Sequence, residues 1–115
     1  MSANAHGLSG KEYHFKKYEI SSACECSSCV YIYAKELNGS YNAIYIGITT
    51  RSFSERYAEH EYDDVNNCAH RNGANCLLIH SRGNTLLGGY TEEELKSIEE
   101  DLLNNYSTPC NTQNN

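Results

Sequence analysis

Apolar and polar positions alternate in two short stretches of this chain, Val30-Tyr31-Ile32-Tyr33 and Ile44-Tyr45-Ile46-Gly47. A period of two marks a strand, because successive side chains leave opposite faces of a pleated ribbon. Leu37-Asn38-Gly39-Ser40 lies between them, and Asn-Gly between alternating runs is the strongest short-range signal for a β-hairpin. On the first strand Tyr31 and Tyr33 share one face, with Val30 and Ile32 on the other. On the second, Tyr45 opposes Ile44 and Ile46. Ordinary pairing then puts two phenols on one side of a small sheet.

A period of 3.6 takes over after Gly47. Ser52-Phe53-Ser54-Glu55 has the form of a capping box. From there Phe53, Arg56, Tyr57 and His60 fall on one side of a helix, turned inward, with Glu55, Ala58 and Glu59 mostly opposite. Residues 61–67 finish that helix and turn. Cys68–Gly73 is a second short helix with Gly73 in the C-cap role, and Cys76–His80 is a third strand beside the hairpin. Gly83, Gly88 and Gly89 mark a loop. Thr91-x-x-Glu94 is a second capping box, followed by an apolar stripe of Leu95, Ile98, Leu102, Leu103 and Tyr106. Glu99 falls inside that stripe; Glu100 and Asp101 fall outside it. Residues 1–10 read as a flexible leader, and residues 11–20 as a strand or a short helix, which periodicity does not decide. The fold class is α/β (α+β): a small, mostly antiparallel sheet of three strands flanked by helices.

A chain of 115 residues with 39% hydrophobic and 21% charged positions holds one modest core. No apolar run reaches the roughly 20 residues of a membrane span, and the N-terminus lacks a basic region followed by an apolar one. The expected location is intracellular, cytoplasmic or with the nucleic acid. In a reducing compartment the six cysteines are expected as thiols or metal ligands rather than disulfides. The net charge of −6 opposes strong non-specific binding to phosphate backbones. Its distribution softens that objection: residues 91–101 hold six carboxylates, whereas Arg51, Arg56, Arg71 and Arg82 all lie in the central stretch.

Cys24-x-Cys26-x-x-Cys29 offers three thiolates to zinc, with Cys68, Cys76, His70 or Cys110 as a fourth ligand. The alternative is a buried strand residue at Cys29 and two loop thiols. A carboxylate at Glu99 on a buried face needs a partner, because burying an unpaired charge is costly. Glu99 is then paired with a neighbouring arginine, or it is a metal ligand or a catalytic acid. Tyrosines in strands are ordinarily packing residues, and His60 on an apolar face is ordinarily a satisfied core histidine.

The ordered set Tyr31, Tyr45-Ile46-Gly47, Arg56, His60, Glu99 and Asn111 resembles the GIY-YIG nuclease superfamily, over roughly residues 29–112. Cys29-Val30-Tyr31 keeps the tyrosine of that family's first motif, and Tyr45-Ile46-Gly47 is its second motif intact. Ile48 follows where excision-repair members carry lysine, so the likeness is to the homing and restriction side. The resemblance implies a leader and Cys-rich loop over 1–28, a nuclease domain over 29–112 and a tail over 113–115. It also implies metal-dependent endonuclease activity on DNA, either plain duplex or branched and structured forms, or on RNA. Tyr31 would be the acid-base group with Tyr45 beside it, Arg56 and His60 would act at the phosphate, and Glu99 rather than Glu100 would hold Mg²⁺ or Mn²⁺. Gly47, Arg51 and Asn111 would contact or frame the substrate. A protein partner or a second copy would supply specificity. The alternative is a catalytically inactive nucleic-acid- or protein-binding module of the same fold, with or without stabilisation by zinc at Cys24, Cys26 and Cys29.

Overall fold

The computed structural model describes residues 2–20, 27–52, 64–82 and 89–111. In chain order the elements are β1 (Ser2–His6), β2 (Glu12–Tyr18), β3 (Ser27–Leu37), β4 (Ser40–Ser52), α1 (Asp64–Arg71), β5 (Cys76–Ser81) and α2 (Glu92–Leu103). The strands form one antiparallel sheet in the order β1-β2-β5-β3-β4, curled into a half-barrel.

This corrects the expectation of a three-stranded sheet flanked by helices. Cys76, Leu77, Leu78 and Ile79 of β5 are all buried, so both faces of that strand are covered. A strand of this kind is poorly suited to an edge, where one row of backbone groups lies unpaired. It is flanked instead by β3 and by β2, whose Lys16–Tyr18 pair with Ile79–Leu77. Residues 2–6, expected as a flexible leader, are the edge strand β1. Tyr13 and Phe15 alternate inward along β2, which resolves that segment as strand. The β3–β4 turn falls at Asn38 and Gly39, both with positive φ (55° and 81°), as a type I′ turn requires.

Cross-strand partners share a face, so the sheet has two apolar sides. One carries Cys29, Tyr31, Tyr33, Tyr45, Leu77 and Ile79 against Val65, Cys68 and Ala69 of α1. The other carries Val30, Ile32, Ile46, Leu78 and Phe15 against Leu95, Ile98 and Leu102 of α2. Burying each of those three helix side chains stabilises by about 1.5–3 kcal/mol. Thr91 closes the α2 N-terminus in a capping box with Glu94.

Polar contacts set the position of α2. Asp101 accepts from Ser9 N, Ser9 Oγ and the Tyr13 hydroxyl at 2.8–2.9 Å. It lies so close to Gly7 that a Cβ there would stand 1.9 Å from its Oδ2. These bonds hold the Asp101 carboxyl below its ordinary pKa, and burial together with Asp101 pushes the Tyr13 phenol up to about 12. At the other end of α2, His80 Nδ1 donates to the His14 carbonyl at 2.8 Å, and its Nε2 lies 2.9 Å from the Tyr90 hydroxyl. Burial lowers the His80 pKa, so the neutral ring accepts from the phenol. Among the described residues no helix is long and apolar enough to cross a membrane.

Candidate functional site: a tyrosine cluster over Gly47

Simple alternation along β4 would turn Tyr45 away from Tyr31. The register shifts between Tyr33 and Ala34: Tyr33 pairs with Tyr45 and Ala34 with Ala43, which leaves Ile44 as an extra residue. This β-bulge re-aims the strand, so Ile44 and Tyr45 are buried on the same face. The expectation that Tyr45 opposes Ile44 is corrected here, and the bulge is the reason. It also brings Tyr45 beside Tyr31 and Tyr33, with ring centroids 5.9–6.2 Å apart in tilted and edge-on arrangements. Tyr31 and Tyr33 have no exposed surface and Tyr45 keeps 8%.

Gly47 is Tyr31's cross-strand partner. A Cβ at Gly47 would stand 2.6 Å from the Tyr31 Cζ and hydroxyl and 2.8 Å from Tyr45 Cε2. The tip of the Tyr31 ring therefore lies over the glycine, in space any side chain would take. Its φ is not positive, so it is the close approach that demands glycine.

β4 is an edge strand, and the chain after α2 covers part of that edge. Asn111 accepts from Ile46 N through Oδ1 and donates to Ile46 O through Nδ2, both at 2.8 Å. Cys110 N donates to the carbonyl of the bulged Ile44. A disulfide joins Cys110 to Cys68 of α1, so the expectation of free thiols is corrected and neither sulfur is available as a thiolate ligand for zinc. Asn72 Nδ2 donates to the Cys68 carbonyl at 2.8 Å and lies 3.5 and 3.7 Å from the two sulfurs. Nothing in the cysteine spacing pointed to this pair, because the two segments meet only through the sheet.

The structure brings Tyr31, Tyr45 and Gly47 together and docks Asn111 on the strand between the last two. Arg56, His60, Cys24 and Cys26 lie outside the described residues, as does the side chain of Arg51 near the end of β4. Cys29 is a fully buried β3 residue on the tyrosine face. Among the described residues no group of three His, Cys, Asp or Glu is arranged to hold a metal.

Glu99 is on α2, and that helix packs against the sheet face opposite Tyr31. Asp101 points to the β1–β2 turn. Two residues on a helix are separated by about 200°, so Glu99 is on the flank turned towards β4. It is half-buried, and burial raises its pKa, opposed by Lys96. No hydrogen bond to its carboxylate is found among the described residues. Glu100 is exposed. The third phenol, Tyr33, was missed as a site residue although period two had already put it beside Tyr31. The bulge that adds Tyr45 had no signal in the sequence.

Comparison of the chain with family models, with curated proteins and with solved structures finds no match.

Proposed function

We propose that this chain is a metal-dependent endonuclease of the GIY-YIG kind, hydrolysing phosphodiester bonds in DNA. The observation that carries the reading is the meeting of Tyr31, Tyr45 and Gly47 at one point of the sheet. In that reading Tyr31 takes a proton from the attacking water and Tyr45 holds its ring in place. A phenol with an ordinary pKa near ~10 is a weak base, so a neighbouring cation has to favour the phenolate. Arg56 is the residue assigned to that task and to the phosphate, and His60 is assigned to the phosphate as well. Because Tyr31 is fully buried, productive binding has to open this face to one water.

Glu99 fits a cation ligand in one respect: a half-buried carboxylate with no hydrogen-bond partner among the described residues gains from an ion. Because α2 lies across the sheet from Tyr31, Mg²⁺ or Mn²⁺ there would offset phosphoryl charge only on a strand passing round the β4 edge, using one carboxylate and keeping several waters. Asn111 acts through the backbone of Ile46, fixing the strand that carries Tyr45 and Gly47. With a net charge of −6, affinity for nucleic acid is modest and falls steeply with salt. A second copy or a protein partner would raise it.

Supercoiled plasmid incubated with the protein and Mg²⁺ or Mn²⁺ tests the reading. Tyr31→Phe is expected to lower nicking by about 10²–10⁴-fold, the scale of general acid-base catalysis. Arg56→Ala and Glu99→Ala are expected to do the same while leaving the fold intact. Parent and variants equally inert with every metal and salt concentration would remove the enzyme reading.

A second reading is a binding module of the same fold without catalysis. It is favoured by the packing of α2, with Glu99, across the sheet from Tyr31. Under it the protein binds nucleic acid equally well with Mg²⁺ and with a chelator, and cuts under neither condition.

A further inference from the structure

A cleft of about 510 Å³ opens where the chain leaving α2 passes the base of the β3–β4 hairpin. That is within the usual range for small-ligand sites, about 300–1,000 Å³. Its polar lining is Lys35, Asn42, Asn72 and Ser107, and Tyr41 and Tyr106 add ring surface. Among the described residues no carboxylate lines it; Glu36, bonded to the Tyr41 hydroxyl, is paired with Lys17. On a chain with 15 acidic residues and a net charge of −6, a cleft whose sole charged lining residue is a lysine is a local positive point.

Lys35 forms no ion pair among the described residues. Its stem runs beside Gly73, where a Cβ would lie 3.4–3.6 Å from Cδ, Cε and Nζ. The ammonium therefore stands at the cleft, and no described carboxylate pairs with it. Asn72 spends its Nδ2 on Cys68, leaving its carbonyl oxygen to accept from a ligand. Asn72 follows α1 and Pro109 precedes Cys110, so the Cys68–Cys110 disulfide ties two walls of the cleft together. A site shaped in advance in this way loses less entropy on binding.

We propose that this cleft seats one unpaired nucleotide of the strand to be cut. Lys35 meets its phosphate, Asn72 and Asn42 meet the polar edge of its base, and a tyrosine ring meets its face. Stacking on tyrosine beside a cation is how single strands are held without sequence preference. Lys35 and Asn42 are cross-strand partners on the Tyr31 side of the sheet, whereas Tyr41 and Tyr106 pack towards the α2 side and reach the cleft round the β4 edge. Lys35 stands four residues along β3 from Tyr31, roughly 14 Å at strand rise, or a few nucleotides of a single strand. The assignment of a nucleic-acid strand rests on the phosphodiester reading above, and it narrows the substrate to single-stranded or branched forms.

The test is binding to the ¹⁵N-labelled full chain in EDTA, where no cleavage occurs. Adenosine 5′-monophosphate, adenosine, ribose 5-phosphate, a single-stranded tetranucleotide and a blunt duplex are titrated in turn. The monophosphate is expected to give saturable shifts at the amides of Lys35, Asn42, Asn72 and Ser107, with weaker binding by each fragment. The tetranucleotide should bind more tightly than the monophosphate and extend the shifts to Gly47, whereas the duplex should bind less well.

Lys35→Ala and Asn42→Asp, both at exposed positions, should weaken binding about two- to fivefold with unchanged unfolding midpoints, and Lys35→Arg should retain it. Absence of saturable shifts, shifts centred elsewhere, or an unaffected Lys35→Ala would overturn the site. Monophosphate binding as tight as the tetranucleotide would overturn the strand assignment in favour of a free nucleotide. Binding as expected together with an inert plasmid assay would leave the cleft standing and remove only the enzyme reading.

Discussion

The Gly47→Ala substitution is the most direct probe of the tyrosine face. The new methyl would stand 2.6 Å from Cζ and the hydroxyl of Tyr31 and 2.8 Å from Cε2 of Tyr45, where ordinary contact begins at 3.4 Å. The Tyr31 ring must therefore retreat by roughly 0.8 Å, but it is fully buried and backed by Tyr33 and Tyr45. Overpacking of this kind costs about 1–3 kcal/mol. Alanine in place of glycine at an ordinary φ returns about 0.4–1 kcal/mol by restricting the unfolded chain. The expected net loss is about 1–2 kcal/mol, measured by urea unfolding with far-UV circular dichroism. A changed tyrosine signal in the near-UV should accompany it.

Tyr31→Phe should rescue little, because Cζ is as close as the hydroxyl. Tyr31→Ala should rescue most of it: the methyl then enters space the ring has left, and the double variant should cost at least about 1 kcal/mol less than the sum of the singles. Gly47→Ala within about 0.5 kcal/mol of the parent, or strictly additive with Tyr31→Ala, would refute the packing described above.

Asn111→Ala removes both bonds to the Ile46 backbone and is expected to cost about 1–3 kcal/mol; hydrogen exchange at the Ile46 amide should rise before the rest of β4. The carboxyl of Glu99 has a raised pKa in the fold, so the folded state binds the extra proton and stability falls as pH rises from the ordinary carboxylate value through the raised one. Glu99→Gln should match the parent near pH 3 and exceed it in stability near pH 7, and equal pH profiles for the two proteins would contradict the burial of that carboxylate. The Cys68–Cys110 bridge spans 42 residues, for which the chain-entropy estimate is about 4 kcal/mol. Cys68→Ala with Cys110→Ala, or reduction by a dithiol, should lower the melting temperature and release protection first around Ile44–Ile46; an unchanged melting temperature would rule out a stabilising crosslink.

Local rules were enough where the determining interactions are themselves local. Asn38-Gly39 placed the hairpin turn because positive φ is a property of two residues. Thr91 and Glu94 announced the start of α2 because a capping box closes within four positions. Alternation put Tyr31 beside Tyr33, and helical spacing picked Leu95, Ile98 and Leu102 as the buried stripe. Local patterns showed too small a sheet because β2 is recruited by a distant need, the uncovered edge of β5, and β1 in turn by β2. A strand's neighbours depend on pairing across sixty residues, and no short window contains that information.

The same reason explains the site. The bulge at Ile44 follows from how β4 registers against β3, and it alone decides that Tyr45 faces Tyr31. The Cys68–Cys110 link depends on α1 meeting the chain end. The packing of α2 across the sheet from Tyr31 depends on which face its apolar stripe covers. Residue types and their spacing named the candidates for the chemistry. Burial, register and closure of the chain on itself determined which of those candidates meet.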